Sequence, residues 1–136
     1  MRKIDKIIVH CSATPEGKSF SVADIRRWHK QRGFSDIGYH FVIYLDGSVN
    51  VGRPLAKAGA HCKGYNAHSI GVCYIGGLAT NGKTPKDTRT PEQKASLVKL
   101  ITELKQQFPN TSVHGHREFA NKACPCFNAK DEYKDL

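Results

Sequence analysis

Apolar positions along this chain fall into short groups whose spacing changes from one segment to the next. In "DKIIVHCSA" the β-branched residues Ile7, Ile8 and Val9 run together and give way to polar turn residues at Ser12 to Gly17, which predicts a short buried strand. His10 sits at the C-terminal end of that strand. In "SVADIRRWHKQRGF" the period is helical: Val22, Ile25 and Trp28 or His29 share one face, and Ser21 with Asp24 three residues on makes a capping box. Gly33 is placed to stop the helix. "GYHFVIYLDGSVNVGR" reads as a hairpin whose two strands join at Asp46-Gly47, with Tyr39 opening the first strand.

Small and polar residues dominate "PLAKAGAHCKGYNAHS" (54–69), a surface loop that leads into the strand "IGVCYIGG". A second loop covers residues 78–89. In "TPEQKASLVKLITELKQQFPN", Thr90 caps, Pro91 takes the first helical position, Gln93 closes the box, and Leu97, Leu100, Ile101, Leu104 and Phe108 line one side. A strand near Thr111 to His114 follows, and the tail after Phe127 is polar and partly helical. Strands alternating with helices, without an internal repeat or linker, predict one α/β domain over residues 1–136 built on a mixed sheet.

Composition narrows the class. A chain of 136 residues with 39% hydrophobic and 24% charged residues suits a soluble globular protein, and no apolar stretch is long enough for membrane insertion. The basic N-terminus is interrupted by Asp5 and Lys6, so it reads as a mature start and not a signal peptide, and the protein is expected in the cytoplasm as synthesised. Lysine and arginine outnumber aspartate and glutamate by 21 to 12, and the resulting charge of +9 favours a polyanionic partner such as nucleic acid or an anionic envelope polymer. No RNA-binding signature, zinc-finger spacing or basic recognition helix supports nucleic acid. Five scattered cysteines, an odd number, predict reduced thiols.

The densest chemistry is "VHGHREFANKACPCF" (113–127). Histidine and cysteine are the usual zinc ligands, and a catalytic zinc keeps three protein ligands and one open position. His116 and Cys124 lie eight residues apart in a segment without helical period, and the strand end at His10 can supply a third ligand. By spacing alone, C-x-C at Cys124 and Cys126 or H-x-H at His114 and His116 equally suggests a closed structural site. Lys122 stands two residues before Cys124, on the same side of an extended segment, where a cation can hold a developing oxyanion. A thiol nucleophile at Cys11 paired with His10 is disfavoured, because adjacent strand residues point to opposite faces.

Taken together, "VHCSAT" (9–14), "GYHFVI" (38–43), "GAHCKGYNAHSIGVCYIGG" (59–77) and "HREFANKACP" (116–125) resemble the zinc-dependent N-acetylmuramoyl-L-alanine amidases, in the phage lysozyme branch of the peptidoglycan recognition protein superfamily. The resemblance implies a central mixed β-sheet flanked by helices, with a groove carrying Zn2+ on one face. It also implies hydrolysis of the amide between N-acetylmuramic acid and the L-alanine of peptidoglycan, as in an endolysin that acts on the cell wall after release or signal-independent export. By motif, His10, His116 and Cys124 are the implied metal ligands, Tyr39 and Lys122 the implied catalytic partners, and His61 and Asn66 the implied substrate contacts. The implied protein works as a monomer on a muramyl peptide substrate.

Two departures stand out: Asn121 occupies a position where related motifs carry proline, and Cys126 is a second thiol able to compete with Cys124. His29 and His40 are read as packing residues. The rival reading is a peptidoglycan-binding module of the same superfamily that has lost catalysis; Cys124, Tyr39 and Lys122 argue for the enzyme.

Overall fold

In chain order the strands are β1 (Lys6–Cys11), β2 (Thr14–Pro15), β3 (Phe41–Ile43), β4 (Val49–Val51), β5 (Ser69–Tyr74), β6 (Gly77–Leu78) and β7 (Ser112–Gly115), and the helices are α1 (Val22–Gln31), α2 (Pro91–Gln107) and α3 (Ala129–Glu132). The computed structural model describes residues 1–136. Five strands form one mixed sheet in the order β4-β3-β5-β1-β7, parallel except for the β3–β4 pair. β5 is buried throughout and β1 nearly so, as expected for parallel strands covered on both faces. A second, two-stranded parallel sheet, β2 with β6, carries no apolar pattern that would announce it.

Alternation along the strands divides the interior. Ile7, Val9 and Cys11 of β1 and Ile70, Val72 and Tyr74 of β5 face α2 and the C-terminal tail, joining a 16-residue core with Leu97, Ile101, Leu104, Phe127 and Tyr133. On the opposite face, Val42 and Ile75 meet Ile25 of α1 and Ile37 in a cluster of only four buried residues. That smaller cluster leaves part of the face unfilled by aliphatic side chains, and His10, on the same face as Ile8, occupies it.

Both helix starts follow the sequence. Ser21 and Asp24 form a reciprocal capping box, as do Thr90 and Gln93, with Pro91 in the first turn of α2. Phe108 ends α2 as a half-buried cap. The hairpin differs from the expected two-residue turn. Tyr44 N–H donates to Ser48 O at 3.0 Å and Gly47 N–H to Tyr44 O at 2.9 Å, so Leu45 to Gly47 form a three-residue loop. Gly47 takes the positive φ of +86° that such loops require at their last position.

Tyr39 precedes β3 instead of opening it. Its carbonyl accepts from Arg53 N–H at 2.8 Å, and a Cβ on Gly52 would collide with that oxygen, so the backbone closes too tightly there for a regular ladder.

Two buried histidines brace this region. His29 Nδ1 accepts from Gly38 N–H at 2.8 Å; His40 Nδ1 accepts from Gly71 N–H at 3.0 Å while its Nε2 donates to Lys57 O at 2.8 Å. Both are packing residues, as the sequence suggests. Burial pushes each down to about 4, with nearby arginines adding to the effect. Above about pH 6.5, the ordinary histidine value, both rings are neutral folded or unfolded. Below it the unfolded chain takes up protons that the folded chain refuses, so stability falls with acid.

The C-terminal tail is locked by Arg89, whose guanidinium pairs with Asp87 at 2.8 Å and with Glu132, and lies 3.4 Å from the Phe127 ring centroid. Its side chain is 2% exposed, whereas the two carboxylates keep 32% and 43%, so deleting the cation loses packing without stranding a fully buried anion. Arg89→Ala is therefore expected to cost about 2–3 kcal/mol in urea unfolding, below the full penalty of a buried pair. For the metal-free protein, the denaturant midpoint is expected to be level between about pH 7 and 8 and to fall steadily from about pH 6.5 to 4; a His40→Gln variant should show a shallower fall.

Candidate active site

β1 and β7 run parallel with Val9 opposite Gly115, and the residue after each of these is a histidine, His10 and His116. Their ring centroids lie 4.5 Å apart at the carboxyl ends of the strands, where open α/β sheets place ligands. The chain then makes a short 3-10 turn, His116–Glu118, held by Gly115 N–H donating to the Glu118 carboxylate at 2.7 Å. It returns to the sheet at Cys124. Cys11 N–H donates to Cys124 Sγ at 3.2 Å, and Tyr74 Oη donates to Pro125 O at 2.7 Å. His10 Nδ1 is 3.9 Å from Cys124 Sγ, and the ligand atoms of His10, His116 and Cys124 all lie within 4.8 Å of one another.

These three side chains suit zinc. Nitrogen and sulfur ligands at tetrahedral zinc stand roughly 3.3–3.7 Å apart, so an inward shift of about 1 Å closes the trio on one ion. Burial holds His10 well below its ordinary value, reinforced by His61, His116 and Lys122; burial and then Lys122 lower His116 as well. Both rings are thus neutral near pH 7, with a lone pair to give. Two imidazoles and a thiol are the borderline-to-soft set that zinc prefers.

The competing thiol is turned away. Cys126 adopts a φ of +71°, a left-handed conformation uncommon outside glycine, and its Sγ lies 3.2 Å from Gly77 O and 4.0 Å from Cys11 Sγ. Burial pushes its thiol up to about 11. Cys11 faces the core with a raised thiol, so it is no nucleophile for His10. All five cysteines are unpaired. His114 bonds Ser112 Oγ at 2.7 Å through Nε2 and Glu118 Oε1 at 3.0 Å through Nδ1, so both its ring nitrogens are engaged outside the trio. His68 contacts Lys3 O at the surface.

A groove of about 500 Å³ opens beside the trio, with His116, Tyr39 and Lys122 on its lining. The Tyr39 ring lies 5.1 Å from that of His10 and 5.3 Å from that of His29. Burial, with the thiols of Cys73, Cys124 and Cys11 nearby, pushes its phenol well above the ordinary value, so it stays protonated. Lys122 is exposed on the groove wall, near enough to depress both ligand histidines. Arg32 and Lys63 add two more cations, and no lining residue is acidic. The sequence pattern did not single out Arg32, Lys63 or Phe119, since solvated charges and a lone aromatic carry no period or motif.

His61 and Asn66 also border the groove, with both ring nitrogens of His61 and the side-chain oxygen of Asn66 engaged within the protein. Asn66 Oδ1 accepts the backbone N–H groups of His61 and Cys62, each at 2.9 Å. His61 is 9% exposed; its Nδ1 lies 2.8 Å from His10 Nε2 and its Nε2 3.1 Å from Ser69 Oγ. Burial pushes it down to about 3.

Comparison with known proteins agrees with this arrangement. Residues 1–127 match the family model described as N-acetylmuramoyl-L-alanine amidase. The endolysin of Escherichia phage T7 is 45% identical over 126 residues, covering 93% of this chain and 83% of that one; the endolysin of Klebsiella phage KP32 is 43% identical over 129 residues, covering 95% and 85%. Among solved structures, the N-acetylmuramoyl-L-alanine amidase LysC from Clostridium intestinale URNW superposes with a TM-score of 0.81 at 30% identity, covering 96% of this chain and 82% of that one. A point mutant of Drosophila PGRP-LB in complex with tracheal cytotoxin gives 0.80 at 25% identity, covering 100% and 83%. A match over nearly the whole chain, with the motif residues gathered around one groove, makes this protein a member of the N-acetylmuramoyl-L-alanine amidase family.

Proposed function

We propose that this chain lyses bacterial cell walls by hydrolysing the amide between the lactyl group of N-acetylmuramic acid and the L-alanine of the peptidoglycan stem, with one zinc ion held by His10, His116 and Cys124. The observation that carries the reading is the convergence of those three ligand atoms within 4.8 Å at the edge of an acid-free groove. Zinc, when bound, supplies Lewis acidity that acidifies water and polarises an amide carbonyl.

The chain's own groups do the rest. His10 and His116 stay neutral and present lone pairs; Cys124 contributes the one anionic ligand, leaving the centre a net single positive charge. Lys122, on the groove wall, holds the negative charge that develops on the carbonyl oxygen. Tyr39 keeps its proton and donates from the groove side, orienting the attacking water or relaying a proton to the leaving nitrogen. Arg32 and Lys63 favour the carboxylates of a stem peptide, and the overall charge of +9 favours retention on an anionic wall. The phage endolysin relatives support wall lysis as the setting, and the tracheal cytotoxin complex of the Drosophila protein supports a peptidoglycan-derived ligand in this groove. Retention of Cys124, Tyr39 and Lys122 together favours catalysis over a binding-only module.

The direct test is incubation of the zinc-loaded protein with purified peptidoglycan and mass spectrometry of the new ends. Free L-alanine amino termini are expected, and a chelator should abolish them; cleavage of glycosidic bonds or of peptide cross-links instead refutes the proposal. Lys122→Ala is expected to retain zinc while losing about a hundredfold to a thousandfold in turnover, as when one oxyanion donor is removed. Cys124→Ser should lose both zinc and activity, separating the ligand from the catalytic cation by metal analysis of the two variants.

A further inference from the structure

Behind His10, on the side away from Cys124, a second line of polar atoms is buried. His10, His61 and Ser69 are 1%, 9% and 0% exposed, and they connect through Nε2 to Nδ1 at 2.8 Å and Nε2 to Oγ at 3.1 Å. The two imidazoles meet edge to face, with centroids 4.8 Å apart and planes at 88°. We infer that His61 is a positioning residue whose Nδ1 accepts the Nε2–H of His10, fixing the tautomer and orientation in which His10 Nδ1 is free to bind the metal. The inference rests on the zinc reading above.

Proton placement leaves one consistent arrangement for a metal-bound state. A neutral imidazole carries a single N–H. His10 Nδ1 is the nitrogen facing Cys124 Sγ, 3.9 Å away, and a ligand nitrogen must be bare. The proton of His10 then sits on Nε2 and points at His61 Nδ1, which must itself be bare. His61 in turn carries its proton on Nε2 and donates to Ser69 Oγ. In the reverse direction, with Ser69 donating to His61 and His61 to His10, the proton of His10 falls on Nδ1 and blocks the site.

Several residues with no other chemistry converge on the His61 ring. A Cβ on Gly59 would lie 2.7 Å from its Cδ2, and one on Gly71 would lie 2.7 Å from both Cδ2 and Cγ, so two glycines clear the space it fills. Asn66 pins the backbone of His61 and Cys62 through one carbonyl oxygen. These contacts give the stretch "GAHCKGYNAHSIG" a part in holding the His61 ring. The acceptors that orient ligand histidines from behind are commonly carboxylates or carbonyls. Here a neutral ring serves, so Cys124 remains the only anion beside the metal.

Without an acceptor, the buried Nε2–H of His10 is stranded, and loss of such an outer partner typically weakens metal binding about 10–100-fold. The test compares two near-isosteric variants by zinc competition against a chromophoric chelator: His61→Asn, which keeps an acceptor near the Nδ1 position, and His61→Leu, which has none. Expected is a roughly 10–100-fold weaker affinity for His61→Leu and an affinity within about threefold of the parent for His61→Asn, with both metal-free variants folded by circular dichroism. Equal weakening of the two, or parental affinity in His61→Leu, overturns the inference while leaving the zinc site standing. If His61→Leu does not fold, His61→Ala takes its place in the same comparison, judged by the same criteria. A parent protein that takes up no zinc overturns the metal reading itself and this inference with it.

Discussion

The parallel pairing of β1 with β7 is the constraint on which the site depends. Opposing Val9 to Gly115 puts the two histidines that follow side by side, so their pairing is a by-product of sheet register. Register here is strongly specified, because a slip of one residue would turn His10 into the aliphatic core and Val9 or Cys11 toward the groove. The apolar contacts that hold the core also hold the two histidines side by side. Cys124 joins from the far end of the chain, tied back by Cys11 N–H and by Tyr74 through Pro125.

Unequal filling of the two sheet faces gives the groove its place. The α2 face is closed by a large aliphatic and aromatic core, whereas the α1 face has a small apolar cluster and commits the remainder to histidines and a tyrosine. Those polar rings are tolerated because each has its partner: His29 with Gly38, His40 with Gly71 and Lys57, His61 with His10 and Ser69. Burial keeps them neutral. The positive charge stays on the groove lining, at Arg32, Lys63 and Lys122, outside the buried histidine cluster.

Much of the architecture is legible in local sequence. Both main helices begin at the capping residues that the chain advertises, and the buried run at Ile7 to Val9 is a central strand. The trio His10, His116 and Cys124, which the structure gathers within 4.8 Å, is legible through the resemblance of its motifs to a known family, while spacing alone left C-x-C and H-x-H pairs open. Caps, turns and apolar periods act within a few residues, so a single segment is enough to reveal them.

What the sequence by itself determined, then, is which elements form and which residue types are available for chemistry. The tertiary structure decided the placements: Cys124 beside His10 and His116, with Cys126 turned toward Gly77 by a left-handed backbone; Tyr39 ahead of β3 instead of within it; and the small β2–β6 sheet. It also joined His61 to His10, 51 residues away, and so gave a loop histidine a buried partner that its own neighbours do not disclose. The reason is physical: these contacts link segments far apart in the chain, and the hydrogen bonds and close packing that select them exist only once the parallel strands have set their register.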